Sequence, residues 1–278
     1  MYGKRVGFPR VQMSFAMKKI ELIQQAHTVK IGDVCGLIEP NVIEDSIFIH
    51  EGEAIGFYIK NIGKYSEKAA GLADIADSEL RSKAVPKSTM KRSSGFGDGN
   101  QEKEVLQYST ILGSVPPKPH MRRPYPTISS VHQVPSAQKF IKAMLLLANE
   151  CESIIKELTP NVWERQRDIF EQKVKQKWRF GNLWTSSISN YNISAPFHRD
   201  AGNIVGCVNA IIAKRKNSYG GNTTIPDYGA TVDSADNSLL VYPAWRNVHG
   251  VTPIVPTVNG GYRNSLVFYP LNAFAGLD

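Results

Sequence analysis

Apolar residues recur at two different periods along this chain, and the change from one to the other organises it. Ile47-Phe48-Ile49 and Ile55-Gly56-Phe57-Tyr58-Ile59 are short apolar runs of strand length, whereas Glu67 to Ser82 has helical spacing. Further on, Phe140, Met144, Leu147, Cys151, Ile154 and Leu158 recur at steps of three and four, which predicts a core-facing helix that Ser136 can cap. Thr159-Pro160 reads as a fresh N-cap with proline at the first helical position, and Trp163, Arg167, Phe170 and Val174 carry on a second helical stripe.

Beyond about Phe180 the period shortens. Trp184 to Ile188, Ile204 to Ile212, Asn222 to Ile225, Ser238 to Tyr242 and Ser265 to Tyr269 are β-rich segments, punctuated by Gly220-Gly221 and Asp236-Asn237. Many short strands between Gly and Pro turns imply a sandwich or barrel, and a double-sheet jelly roll is the version that holds a ligand in its open mouth. The expected class is α+β: a double-stranded β-helix (jelly-roll) catalytic core buttressed by helices, with a mixed α/β N-terminal extension.

Two irregular stretches interrupt the first half. Lys83 to Glu104 is rich in Lys, Ser and Gly and reads as a mobile loop, and Val115 to Pro126 holds Pro116, Pro117, Pro119, Pro124 and Pro126 beside Lys118, Arg122 and Arg123. The expected division is therefore 1–130, a mixed region with basic flexible loops, and 131–278, helices plus jelly-roll core. The chain has 278 residues and 42% hydrophobic content, enough to bury a substantial core.

Cys35, Cys151 and Cys207 are odd in number and widely spaced, which excludes reading a disulfide framework or a CxxC zinc site. Met1-Tyr2-Gly3-Lys4-Arg5 does not open a signal peptide, and no apolar run approaches the roughly 18 residues of a membrane span. A soluble cytoplasmic protein with no membrane partner is expected. The formal charge of +8 favours phosphate-bearing partners.

The candidate chemistry is concentrated late in the chain. His198 and Asp200 flank Arg199, and a two-residue step on an extended strand turns both toward one side, where they can share an ion. His249 can complete the set from another strand. Two imidazoles and a carboxylate leave coordination positions open for Fe(II), a chelating oxo-acid and O2. The far carboxylate of that oxo-acid requires a cation, which Arg263 supplies, with the Ser265 hydroxyl on the same strand face. Tyr191 and Asn192, just before the metal triplet, are further candidates for contacting the co-substrate. The combination points to an Fe(II)- and 2-oxoglutarate-dependent dioxygenase.

At these residues the chain resembles the TET and J-binding-protein branch of the 2-oxoglutarate dioxygenases. His198-Arg199-Asp200 looks like the TET triplet, including its middle Arg, and Arg263-Asn264-Ser265-Leu266-Val267-Phe268-Tyr269 is similar to the TET strand that carries the co-substrate Arg and Ser. Gly220-Gly221 with Pro226-Asp227-Tyr228-Gly229 also looks like the middle of this superfamily's barrel, and the resemblance spans roughly residues 183 to 270. It implies hydroxylation of the methyl group of 5-methylcytosine or thymine in DNA, with Asn203 touching a flipped base and Tyr269 stacking on it. Leu271 stands where TET enzymes place a His that helps to recognise cytosine, so either base fits the pattern. Short, basic, zinc-free members of the branch are typical of bacteriophages, which implies a viral enzyme acting in the host cytoplasm.

A base inside a duplex must be extruded and its flanking phosphates held. Lys87, Lys91 and Arg92 in the first loop, and Lys214-Arg215-Lys216 between two barrel strands, are the expected phosphate contacts; Lys173, Lys175, Lys177 and Arg179 form a further basic stretch. Two other readings compete: a hydroxylase of an amino acid, peptide or small molecule, and an inactive nucleic-acid-binding or structural viral protein.

Overall fold

The computed structural model describes residues 17–89, 106–118 and 123–277. In its first half the strands are β1 (Lys18–Glu21), β2 (Ser46–His50), β3 (Glu53–Ile59), β4 (Ser88–Thr89), β5 (Tyr108–Val115) and β6 (Thr127–Ile128), with helix α1 (Glu67–Arg81) between β3 and β4. Helices α2 (Gln138–Leu158) and α3 (Pro160–Lys173) follow. Then come β7 (Ser186–Tyr191), β8 (Ala195–His198), β9 (Asn209–Lys216), β10 (Ser218–Gly220), β11 (Thr223–Ile225), β12 (Ala230–Val232), β13 (Leu239–Tyr242), β14 (His249–Val251), β15 (Ile254–Pro256) and β16 (Tyr262–Tyr269).

Ten strands form one mixed sheet in the order β1-β2-β3-β13-β9-β16-β7-β5-β4, with β6 joined to β5. Only β1 on β2 is parallel. A four-stranded antiparallel sheet, β12-β11-β14-β8, forms a second layer, and β10 pairs with β15. Strands β2, β3 and β5 of the first half thus share a sheet with β13, β9, β16 and β7 of the second.

Period-2 alternation assigns the two faces of the large sheet. One face turns Ile59, Ala210, Ile212, Leu266 and Phe268 onto α1 and α2, where they pack with Ala73, Leu80, Phe140, Met144, Leu147 and Cys151. Ala69, Ala73 and Ala76 keep α1 slim where it meets this core, and Ser66 caps the helix by accepting from the Ala69 N–H at 3.0 Å. The opposite face carries Phe48, Tyr58, Leu240 and Tyr242 against Ile225, Tyr228, Ala230 and Val232 of the small sheet. The helices therefore buttress one side, and the gap between the sheets is left for a site.

Several local expectations shift. Ser136 does not cap α2: a 3-10 turn over Pro135–Ala137 leads into the helix, and the Ser136 hydroxyl donates to the Ala84 carbonyl. Thr159 precedes α3, but its hydroxyl turns back to the Ile155 carbonyl at 3.2 Å. Lys214, Arg215 and Lys216 are the last three residues of β9, not a loop between strands. Lys91, Arg92 and most of the Lys83 to Glu104 stretch, together with Arg122, lie outside the described residues. Among the described residues no helix is long and apolar enough to cross a membrane.

Candidate metal centre

His198 ends β8 and His249 begins β14, and the antiparallel register sets the two directly opposite each other. Their rings lie 4.3 Å apart between centroids. Asp200 follows two residues beyond the end of β8; its N–H donates to the Ala244 carbonyl at 3.2 Å, and one carboxylate oxygen lies 3.6 Å from His198 Nε2. One ligand atom from each of the three residues can be chosen so that all lie within 4.8 Å of one another.

The imidazoles are pre-oriented. His198 Nδ1 lies 2.8 Å from the Pro196 carbonyl and His249 Nδ1 lies 3.1 Å from the Asn247 carbonyl. A carbonyl can only accept, so each ring carries its proton on Nδ1 and keeps the Nε2 lone pair for a metal. His249 is 4% exposed and stands edge-on to Tyr242. Burial first, then the nearby His198, lowers its pKa and favours the neutral, ligating form.

The three residues open into a cavity of about 460 Å³ between the two sheets. Strand β16 contributes Arg263, Ser265, Val267 and Tyr269 at two-residue steps, so one face of one strand lines the cavity along its length. At about 3.3 Å per residue, Arg263 and Tyr269 are roughly 20 Å apart along the strand, at opposite ends of this wall.

Arg263 is 3% exposed, and among the described residues no carboxylate pairs with it; its Nε donates to the Ser234 hydroxyl at 3.0 Å. Burial, reinforced by the Arg215 guanidinium across the β9–β16 pair, pulls its pKa down to about 9. A buried guanidinium without a counter-ion, facing a cavity, is a standing demand for an anion. Gly221, at φ +67°, makes room for it: a Cβ there would approach Arg263 Cδ at 3.2 Å and Ile254 at 2.9 Å.

The remaining expected site residues divide. Ser265, Asn203 and Tyr269 line the cavity with the metal triad, and burial raises the Tyr269 pKa. Tyr191 does not. In the β7–β16 register Asn190 lies beside Ser265 and Tyr191 beside Asn264, so Tyr191 faces the other side of the sheet, stacked between Tyr108 and Tyr262. Asn190 takes the position expected of Tyr191, its Nδ2 3.4 Å from the Ser265 hydroxyl. Asn192, at φ +52°, acts on the Arg263 backbone: its Oδ1 and its N–H bond the Arg263 N–H and carbonyl, both at 2.9 Å.

The basic groups are also redistributed. Lys214 is buried and its Nζ reaches Asp74 at 2.7 Å, Asp236 at 3.1 Å and Asn237 at 2.8 Å, which leaves nothing for a phosphate. Arg215 points between the sheets, where it donates to the Gly220 carbonyl. Lys87 caps the carbonyls of Leu80 and Ser82 at 2.7 and 2.6 Å. Of Lys87, Lys214, Arg215 and Lys216, only Lys216 is exposed. Besides the buried Arg263, the cavity is bordered by the exposed Arg199 between the two metal-ligand candidates, and Asn209 is a further polar wall residue.

No protein-family model matches the chain, and no curated protein matches it in sequence. Among solved structures, NgTET1 in complex with 5mC DNA is similar in fold, with a TM-score of 0.56 at 12% identity over 93% of this chain and 84% of that one. A full-length Neurospora crassa protein in complex with alpha-KG aligns at 14% identity over 77% of this chain and 75% of that one, with a TM-score of 0.42. A 2OG-Fe(II) oxygenase family oxidoreductase from Burkholderia pseudomallei aligns at 13% identity over 71% and 77%, with a TM-score of 0.39. The first shows a shared fold across nearly the whole chain, while the other two are too slight to build on.

Proposed function

We propose that this chain is an Fe(II)- and 2-oxoglutarate-dependent dioxygenase that hydroxylates the methyl group of a methylated pyrimidine, 5-methylcytosine or thymine, in DNA. The observation that carries the reading is one cavity holding two Nε2-presenting histidines and an aspartate from the small sheet and the turn after β8 and, from β16 of the large sheet, a buried guanidinium that no carboxylate pairs among the described residues. The two sheets are read as the jelly roll, with β8, β14 and β16 as the strands that deliver the site.

The donor set fits Fe(II): imidazole nitrogens and one carboxylate oxygen suit that ion and leave positions for a chelating oxo-acid and O2. When bound, the metal and co-substrate would supply the oxidising power for C–H hydroxylation. His198, Asp200 and His249 would hold the metal, and the carbonyls of Pro196 and Asn247 keep the two rings aimed. Arg263 and Ser265 would take the distal carboxylate of 2-oxoglutarate, with Asn190 orienting the Ser265 hydroxyl. Asn203 and Tyr269, on the cavity wall, would flank the extruded base, and the apolar Val267 and Ile188 keep water scarce between them.

DNA as the partner is supported by the fold shared with NgTET1, whose structure holds 5mC DNA, and by the formal charge of +8. Arg199 at the cavity and Lys216 at the end of β9 are two of the exposed cations available to phosphates. The test is anaerobic loading with Fe(II) and 2-oxoglutarate, then exposure to O2 with DNA of defined methylation. Succinate and a hydroxymethylated nucleoside are expected by mass spectrometry. Succinate with no altered base on any DNA would move the assignment to an amino acid, peptide or small-molecule substrate.

A further inference from the structure

Asp200 is gripped from behind by two carboxamides. Asn209 Nδ2 donates to Asp200 Oδ2 at 3.1 Å, Asn203 Nδ2 lies 3.5 Å from that same oxygen, and Asn203 Nδ2 donates to Asn209 Oδ1 at 2.8 Å. Asn209 is 2% exposed and Asn203 5%, so neither pair is open to competition from bulk water.

The direction of this network follows from the carboxylate. An ionised Asp200 can only accept, so Asn209 must turn its NH2 toward it. The Asn209 carbonyl then faces Asn203, which must answer with its own NH2. The Asn203 carbonyl is left over; no donor among the described residues reaches it, and Asn203 lines the cavity. The Asn203 loop cannot swing to reverse the order, since Ile204 N–H bonds the Pro270 carbonyl at 2.8 Å and Asn272 N–H bonds the Gly202 carbonyl at 2.8 Å.

We propose that Asn209 is a positioning residue with two effects: it holds back one oxygen of Asp200 so that the other alone faces the metal, and it turns the Asn203 carbonyl into the cavity as a fixed acceptor. The inference rests on the proposed function. It favours a substrate that offers an N–H donor beside the carbon to be oxidised over one that offers an acceptor. A donor there completes the network, whereas an acceptor sets two oxygens against each other with neither satisfied. The 4-amino group of 5-methylcytosine is such a donor, and the 4-carbonyl of thymine is not.

The experiment titrates Mn(II) into the chain by electron paramagnetic resonance, then gives the Fe(II)- and 2-oxoglutarate-loaded protein O2 with 5-methylcytosine DNA and thymine DNA in competition and counts the oxidised bases. Asn209→Leu, close in shape but unable to hydrogen-bond, should weaken Mn(II) binding by about 10- to 100-fold, with Asn209→Ala following it. A folded variant within about twofold of wild type overturns the hold on Asp200. Wild type should favour the donor-bearing base by about tenfold, a preference that Asn209→Leu collapses. A wild-type preference for thymine, or an unchanged ratio in the variant, overturns the fixed acceptor. Asn203→Ala, which leaves the Asn209–Asp200 bond in place, should abolish the preference while keeping Mn(II) binding within about threefold; parallel loss of both would overturn the order of the relay. If wild type oxidises neither base while Asn209→Leu still loses Mn(II), the DNA assignment fails and the positioning of Asp200 stands.

Discussion

Replacing Arg263 with Met separates the cost of an empty anion site from the benefit of a filled one. Arg263 is pulled from an ordinary 12.5 to about 9. At about 1.4 kcal/mol per tenfold change, that depression caps the penalty of the buried charge on the order of 5 kcal/mol. Because the folded value lies below the unfolded one, the full penalty is present at pH 7 and fades only as pH rises through about 9. Met keeps the length and apolar stem but removes the charge, and the bonds from Asn192 reach only the backbone. Stability without ligand at pH 7 should therefore hold or rise, as read by scanning calorimetry. Binding of 2-oxoglutarate should fall sharply, since truncating one partner of a buried charge pair costs about 2–5 kcal/mol, or about 30-fold to several thousandfold. Anaerobic calorimetry on Mn(II)-loaded protein measures this directly. Wild-type affinity should be flat below pH 8 and decline above about 9, where Arg263 discharges. A variant that binds 2-oxoglutarate within about threefold of wild type would refute the anchor.

Five further substitutions probe the same geometry. Asn190→Ala should weaken 2-oxoglutarate binding by about threefold to tenfold through the freed Ser265 hydroxyl, while Tyr191→Phe leaves it unchanged; the reverse order would contradict the register of β7 on β16. Lys214→Met should lower stability by about 1–2 kcal/mol, a modest cost because Asp74 and Asp236 can turn to water, and should leave the salt slope of DNA binding as it was. Lys216→Ala should instead reduce that slope by about 1, and an unchanged slope removes Lys216 from the interface. Gly221→Ala, at positive φ with Ile254 and Arg263 in the way, should cost about 1–3 kcal/mol and weaken 2-oxoglutarate binding with it, and full co-substrate affinity would show that Arg263 is not held against this turn.

What could be read from the chain, and what could not, follows from the range of each signal. Two-residue alternation sets Arg263 and Ser265 on one face from β16 alone, and the spacing in His198-Arg199-Asp200 needs only the end of β8. The phase of β7 relative to β16 is different, because a slip of one residue exchanges Asn190 for Tyr191 and only the pairing of Asn190 with Ser265 decides between them. The basic run at 214–216 misled for a related reason. Its burial depends on Asp74, from a helix more than a hundred residues earlier, so nothing local marks Lys214 as satisfied. The joining of β2, β3 and β5 to the large sheet is likewise a matter of long-range pairing. Asn209 lies between these cases. Along one face β9 reads Asn209, Ile211, Ala213, Arg215, so an amide precedes two apolar residues, and a buried amide persists only where it has partners. That anomaly was visible in the sequence and asked what the amide bonds to; the answer, Asp200 and Asn203, required the turn that brings the loop after β8 back across the start of β9.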